Sequence, residues 1–161
     1  MMPELRELYQ ELILDHSKSP RNFYAIKDPD KKAEGFNPLC GDRITVYLKT
    51  EGDLIKDISF QGSGCAISKA SSSMMTTSLK GKTKQQAEDL FNQFHLLLAG
   101  KGIETFDKNP LGKLAVFSGV REFPVRVKCA TLAWHTLKAA LKGEEGKTVS
   151  TEIISTEWEA G

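Results

Sequence analysis

The chain has three cysteines, Cys40, Cys65 and Cys129, and each stands where a thiol could ligate a metal. Cys40 and Asp42 flank a glycine in the run PLCGD. Cys65 closes the turn QGSGC ahead of a helical pattern, where the helix dipole and free amides favour a thiolate. Cys129 lies on the apolar stripe of a later helix. Three thiolates and one carboxylate complete a four-coordinate shell for zinc, and such thiols could also carry sulfur. A lone cysteine on an apolar stripe is otherwise a small buried hydrophobe, and the CxxC pairs of zinc ribbons are absent. Spacing alone leaves open whether the three thiols meet.

The positioning elements are legible from periodicity. Leu5, Leu8, Tyr9, Leu12 and Ile13 recur at helical spacing, so residues 4–16 form an amphipathic helix. His16 to Pro38, rich in proline, lysine and aspartate, is mostly loop. Ile44, Val46 and Leu48 alternate with polar residues, as do Ile58 and Phe60, and Glu51-Gly52-Asp53 joins the two strands as a hairpin. Cys40 and Asp42 share the parity of Ile44, Val46 and Leu48; a strand reaching back to Cys40 would put all five on the core side. Residues 66–79 are helical, with Ser71, Ser72 and Ser73 as close-packing positions, since no base stands beside them. Gly81 is a C-terminal cap, and Thr83 with Gln86 forms a capping box for a helix carrying Ala87, Leu90, Phe91, Phe94 and Leu98. Residues 100–109 are a polar loop and 110–119 a short helix. Pro124 opens the last helix, which presents Val125, Cys129, Leu132, Ala133, Thr136, Leu137 and Ala140 on one stripe and stops at Gly143. Residues 144–161, polar apart from Ile153, Ile154 and Trp158, form a loose tail.

Composition narrows the function classes. A chain of 161 residues, 40% hydrophobic and 27% charged, fits one globular domain. A net charge of +1 provides no basic field for nucleic acid, and no apolar run reaches the length of a membrane span. The start MMPELRELYQ lacks the basic and apolar regions of a secretory signal, and three cysteines suit a reducing cytoplasm better than a disulfide scaffold. The triplets Gly81-Lys82-Thr83 and Gly146-Lys147-Thr148 are not phosphate loops, because Thr76 and Leu141 occupy the position of the required earlier glycine. His16, His95 and His135 are read as surface or helix-capping residues; His135 points away from the Cys129 thiol.

The runs LYQELILDHSKSPRN, NPLCGD, FQGSGCAISKASSSMM, LKGKT and FPVRVKCATLAW resemble the U-type iron–sulfur assembly proteins, the IscU/NifU N-terminal family, from about residue 5 to 142. The resemblance implies an α+β fold, a small antiparallel sheet covered by helices, as a single domain over residues 1–143. Two departures from the IscU pattern point to the SufU-type subgroup. Lys128 stands where IscU scaffolds have a histidine, and Glu122-Phe123-Pro124-Val125-Arg126 replaces their chaperone motif. An insertion near residues 99–118 also lengthens the stretch between Cys65 and Cys129.

The resemblance implies that Cys40, Asp42, Cys65 and Cys129 hold zinc and that Cys40 accepts sulfur from a SufS-type cysteine desulfurase, for delivery to a downstream iron–sulfur assembly complex. Arg126, one turn before Cys129 on the same helical face, is expected to steady a site carrying about two net negative charges, and Lys128 could assist docking. Two rival readings use the same ligands: a scaffold that builds a [2Fe–2S] cluster, and a structural zinc module that only mediates interactions.

Overall fold

A computed structural model describes residues 3–99, 112–143 and 148–150. In chain order the elements are helix α1 (Pro3–Lys18), strands β1 (Lys31–Asn37), β2 (Asp42–Glu51) and β3 (Leu54–Ser63), helices α2 (Ala66–Leu79) and α3 (Lys84–Leu98), a 3-10 segment (Gly112–Glu122), helix α4 (Pro124–Leu141) and strand β4 (Thr148–Ser150). The sheet order is β3-β2-β1-β4; the first three strands are antiparallel, and β4 adds a short parallel edge to β1. This is the expected α+β architecture.

The β2–β3 hairpin follows its hydrophobic alternation. Ile44, Val46 and Leu48 are buried opposite Gly62, Phe60 and Ile58, and burial of such side chains contributes about 1.5–3 kcal/mol each. Helix α4 lies against β1 and β2 and also packs on α2 and α3. Covered on several sides, it is buried nearly all round from Val127 to Ala140 rather than along one stripe. Val125, assigned to that stripe, is 48% exposed, because the first turn runs out beyond the cover.

Small side chains let α2 approach α4. Ser71, Ser72 and Ser73 are fully buried; the Ser71 hydroxyl donates to the Ala130 carbonyl and accepts from Trp134 Nε1 at 3.2 Å. Helix α3 starts with the expected capping box, Thr83 Oγ1 accepting from Gln86 N and Gln86 Oε1 accepting from Thr83 N, worth about 1 kcal/mol. Phe94 of α3 stacks on Trp134 with ring centroids 4.9 Å apart and meets Phe117 of the 3-10 segment edge-on at 5.8 Å.

Three expectations change. Residues 31–37, read as loop, form β1. Their inward positions are Ala33, Gly35 and Asn37, so the alternation is one of small and polar residues and leaves no hydrophobic signal. Gly35 is needed there, since a Cβ would collide with Thr136 Oγ1 and press on Leu132 of α4. Residues 148–150, assigned to a loose tail, pair with Glu34, Gly35 and Phe36. The expected short helix at 110–119 appears as the 3-10 segment from 112, whereas the polar loop at 100–109 and the tail beyond 150 lie outside the described residues.

Candidate metal centre

Four chain segments converge at one end of the sheet. The turn after β1 carries Cys40, β2 opens with Asp42, the turn after β3 ends in Cys65, and the second turn of α4 carries Cys129. Ligand atoms of Cys40, Asp42 and Cys129 lie within 4.8 Å of one another. Cys40 is exposed, Cys129 is buried and Asp42 is wholly buried.

Cys65 stands outside that group of three but touches it. It is the N-cap of α2, and its sulfur accepts from Ser68 N at 3.4 Å. Its backbone N–H donates to Asp42 Oδ1 at 2.9 Å, and its sulfur lies 3.9 Å from Asp42 Oδ2. The hydrogen bond from the Cys129 thiol draws the Cys65 thiol down to about 6, and the Ser68 amide adds to the effect. The same bond, followed by burial, pushes Cys129 well above the ordinary thiol range.

Asp42 is located by the strand, but Cys40 is not. Strand β2 begins at Asp42, and Gly41 turns the chain at φ +73°, a left-handed conformation that costs other L-residues about 1–2 kcal/mol. Cys40 therefore reaches the centre from the turn and not through the strand parity that places Asp42 beside Ile44 and Val46. Its sulfur stands 3.4 Å from Cys129 Sγ.

The donor set fits a thiophilic divalent cation. A wholly buried carboxylate calls for a positive partner, and the ion pairs among the described residues, Arg21–Asp15, Lys49–Asp30 and Lys80–Asp57, leave Asp42 without a cationic side chain. In a tetrahedral zinc site two sulfurs stand about 3.8 Å apart and a sulfur and an oxygen about 3.5–3.7 Å; the 3.4 Å between the Cys40 and Cys129 sulfurs and the 3.9 Å from the Cys65 sulfur to Asp42 each lie within about 0.4 Å of these.

Arg126 is exposed in the first turn of α4 and makes no hydrogen bond or ion pair among the described residues; Lys128 is half-buried. His16 and His135, read as surface or helix-capping residues, are buried, and His16 does lie in the last turn of α1. The His16 ring hydrogen-bonds Ser73 Oγ through Nδ1 at 2.7 Å, tying α1 to α2. His135 meets Phe91 edge-on at 5.1 Å, and burial pushes it down to about 3. Neither belongs to the thiol cluster.

Two residues at the site escaped the sequence reading. Asn37, fully buried, donates from Nδ2 to Asp42 Oδ2 at 3.4 Å and to Cys129 Sγ at 3.5 Å. Gly64 packs against the Asp42 carboxylate so tightly that a Cβ would lie 2.5 Å from Oδ1. The only signal was their place inside the runs NPLCGD and QGSGC, next to the thiols themselves. Leu39, Phe123 and Val125 are 55%, 57% and 48% exposed, and put apolar surface beside Cys40 and at the open end of α4.

A small sheet covered by helices, with three thiols and a carboxylate gathered at its end, defines a class. The chain belongs to the NifU-like N-terminal domain family, whose model matches residues 8–130. It is 42% identical over 142 residues to the zinc-dependent sulfurtransferase SufU of Bacillus subtilis, spanning 88% of this chain and 95% of that protein. It is 41% identical over 141 residues to the iron–sulfur cluster assembly scaffold protein IscU of Streptococcus pyogenes, spanning 88% and 87%. A crystal structure from Fervidobacterium islandicum, described as an iron–sulfur cluster assembly scaffold protein for the SUF system, superposes with a TM-score of 0.78 at 40% identity, covering 84% of this chain and 98% of that one. The N-terminal NifU-like domain from Brucella abortus shares the fold at a TM-score of 0.77 and 23% identity, covering 89% and 99%. Among the described residues no helix is long and apolar enough to cross a membrane.

Proposed function

We propose that this chain is a zinc-dependent sulfurtransferase of iron–sulfur cluster assembly, taking persulfide sulfur from a SufS-type cysteine desulfurase onto Cys40 and passing it to a downstream assembly complex. One observation carries the reading. Cys40 is exposed on a turn, yet its sulfur sits 3.4 Å from the buried Cys129 within a thiol–carboxylate cluster. The Bacillus subtilis relative is named a zinc-dependent sulfurtransferase.

Cys40, Asp42, Cys65 and Cys129 are the four residues that would hold zinc. When bound, zinc keeps coordinating thiols deprotonated near neutral pH. The chain's own residues divide the remaining work. Asp42, Cys65 and Cys129 are fixed by β2, the start of α2 and α4, so Cys40 is the thiolate free to leave. It attacks the outer sulfur of the desulfurase persulfide. The new bond joins Cys40 Sγ to that sulfur, the enzyme's S–S bond breaks, and the enzyme departs as a thiolate. The terminal sulfur keeps its proton, and no external oxidant or reductant is consumed. Leu39 beside the acceptor, and Phe123 and Val125 at the start of α4, offer the partner exposed apolar surface. The positive charges of Arg126 and Lys128 at the start of α4 favour the negative charge that builds on the departing desulfurase thiolate.

Protein purified without chelator should hold about one zinc per chain, and Cys40→Ala should abolish stimulation of a desulfurase. Undiminished stimulation by Cys40→Ala would refute the acceptor role. The Streptococcus pyogenes relative, named as a scaffold, favours the second reading. That reading wins if anaerobic reconstitution gives a stable [2Fe–2S] cluster that transfers intact to an acceptor.

A further inference from the structure

Asn37 ends β1 with its side chain fully buried against the thiol cluster. Its Nδ2 donates to Asp42 Oδ2 at 3.4 Å and to Cys129 Sγ at 3.5 Å, which employs both amide hydrogens. Its Oδ1 accepts from Leu39 N at 3.2 Å, and its backbone carbonyl accepts from Gly41 N at 2.8 Å. The network fixes the orientation of the amide. Turned over, it would set oxygen against a carboxylate and a sulfur, and Nδ2 against the Leu39 N–H. One residue thus grips two members of the cluster directly and holds the backbone on both sides of a third, Cys40.

We propose that Asn37 is a positioning residue that separates the holding thiol from the reacting one. An N–H donated to a thiolate withdraws charge from the sulfur and lowers its nucleophilicity. Cys129 receives such a donor from Asn37, and Cys65 receives one from Ser68 N at 3.4 Å. Among the described residues, no N–H donates to Cys40 Sγ, whose neighbour is the Cys129 thiol. Asn37 reaches Cys40 only through the flanking backbone, so the turn keeps its place while its sulfur keeps its reactivity. The last clause rests on the reading of Cys40 as acceptor; the grip on Asp42 and Cys129 does not.

Cadmium-113 bound to the full chain labelled with nitrogen-15 reads the grip with no desulfurase present. Proton–cadmium coupling passes through N–H···S–Cd bonds, and the Ser68 amide on Cys65 serves as the internal standard. The expected result is coupling to the Asn37 side-chain amide alongside Ser68. Coupling at Ser68 with none at Asn37 would overturn the proposal. A variant gives a second readout. Asn37→Asp keeps the shape and the acceptor for Leu39 N but removes both donors. It should weaken zinc binding about 10- to 100-fold and move the sulfur-to-metal charge-transfer band of the cobalt-loaded protein to lower energy. An unchanged affinity and band would also overturn it. Sulfur found on Cys65 of the wild-type chain, with the cadmium couplings in place, would refute Cys40 as acceptor and leave the grip of Asn37 standing.

Discussion

The thiol cluster has a wall and a hinge, and they are built by opposite means. The wall is Asp42 at the start of β2, Cys65 capping α2 and Cys129 inside α4, joined by the Cys65 N–H on Asp42 and the Asn37 amide on Asp42 and Cys129. The hinge is the turn holding Leu39, Cys40 and Gly41, exposed and attached through two backbone N–H groups. A centre made wholly of wall would hold a metal and do nothing else; one made wholly of hinge would pay heavily in ordering entropy to hold it. The difference teaches that a cluster with a buried, cross-linked side can still keep one thiol exposed on a turn.

Glycine substitutions on the two sides probe that contrast, the wall giving the larger effect. Gly64→Ala drives a methyl group into the Asp42 carboxylate and should destabilise the metal-free fold by about 2–3 kcal/mol, read by chemical denaturation. It should also weaken zinc binding. Acid tests the wall from behind, through His135 on α4. His135 is held neutral by burial, with the like charges of His95 and Lys138 adding to the effect, and it faces the Phe91 ring. Its pKa of about 3 in the fold lies below the ordinary value of 6.5. Its contribution is therefore full above pH 6.5 and lost as pH falls toward 3. Lowering the pH from 7 to 4.5 should cost about 2 kcal/mol of stability, and His135→Gln should remove most of that slope.

On the hinge, Gly41→Ala meets no atom within 4 Å and is strained only by φ +73°. About 1 kcal/mol is expected, with zinc retained and sulfur acceptance slowed. A loss equal to that of Gly64→Ala would erase the distinction between the two sides. The smallest change in secondary structure should follow chelation. The apolar core that holds Val46, Leu48 and Trp134 contains none of the four candidate ligands, so stripped protein should keep its far-ultraviolet circular dichroism and unfold cooperatively at a lower temperature. Outright unfolding on chelation would instead support the structural zinc module.

Much of this arrangement was legible in the residues. The hairpin, α2, the capping box of α3 and the proline start of α4 follow from alternation, caps and 3.6-residue periodicity, because burial of one face dictates the pattern. Strand β1 was hidden, since Ala33, Gly35 and Asn37 face inward and carry almost no apolar signal. The strand parity offered conditionally for Cys40 does not apply, for a related reason: parity assumes an extended chain, and the positive φ of Gly41 breaks it. Buried histidines look like surface ones in sequence because the burial of His16 and His135 comes from α2 and α3, distant in the chain. Asn37 and Gly64 needed three-dimensional contacts to acquire a role, as spacing records neither a shared amide nor the room for a Cβ.

The central claim is that sulfur arrives on the hinge and not on the wall. Incubating the chain with a SufS-type desulfurase and cysteine, then mapping persulfides by peptide mass spectrometry, tests it directly. The account requires one added sulfur on the peptide containing Cys40, with Cys65 and Cys129 unmodified. Sulfur on Cys65 or Cys129, or on none of the three, would contradict it.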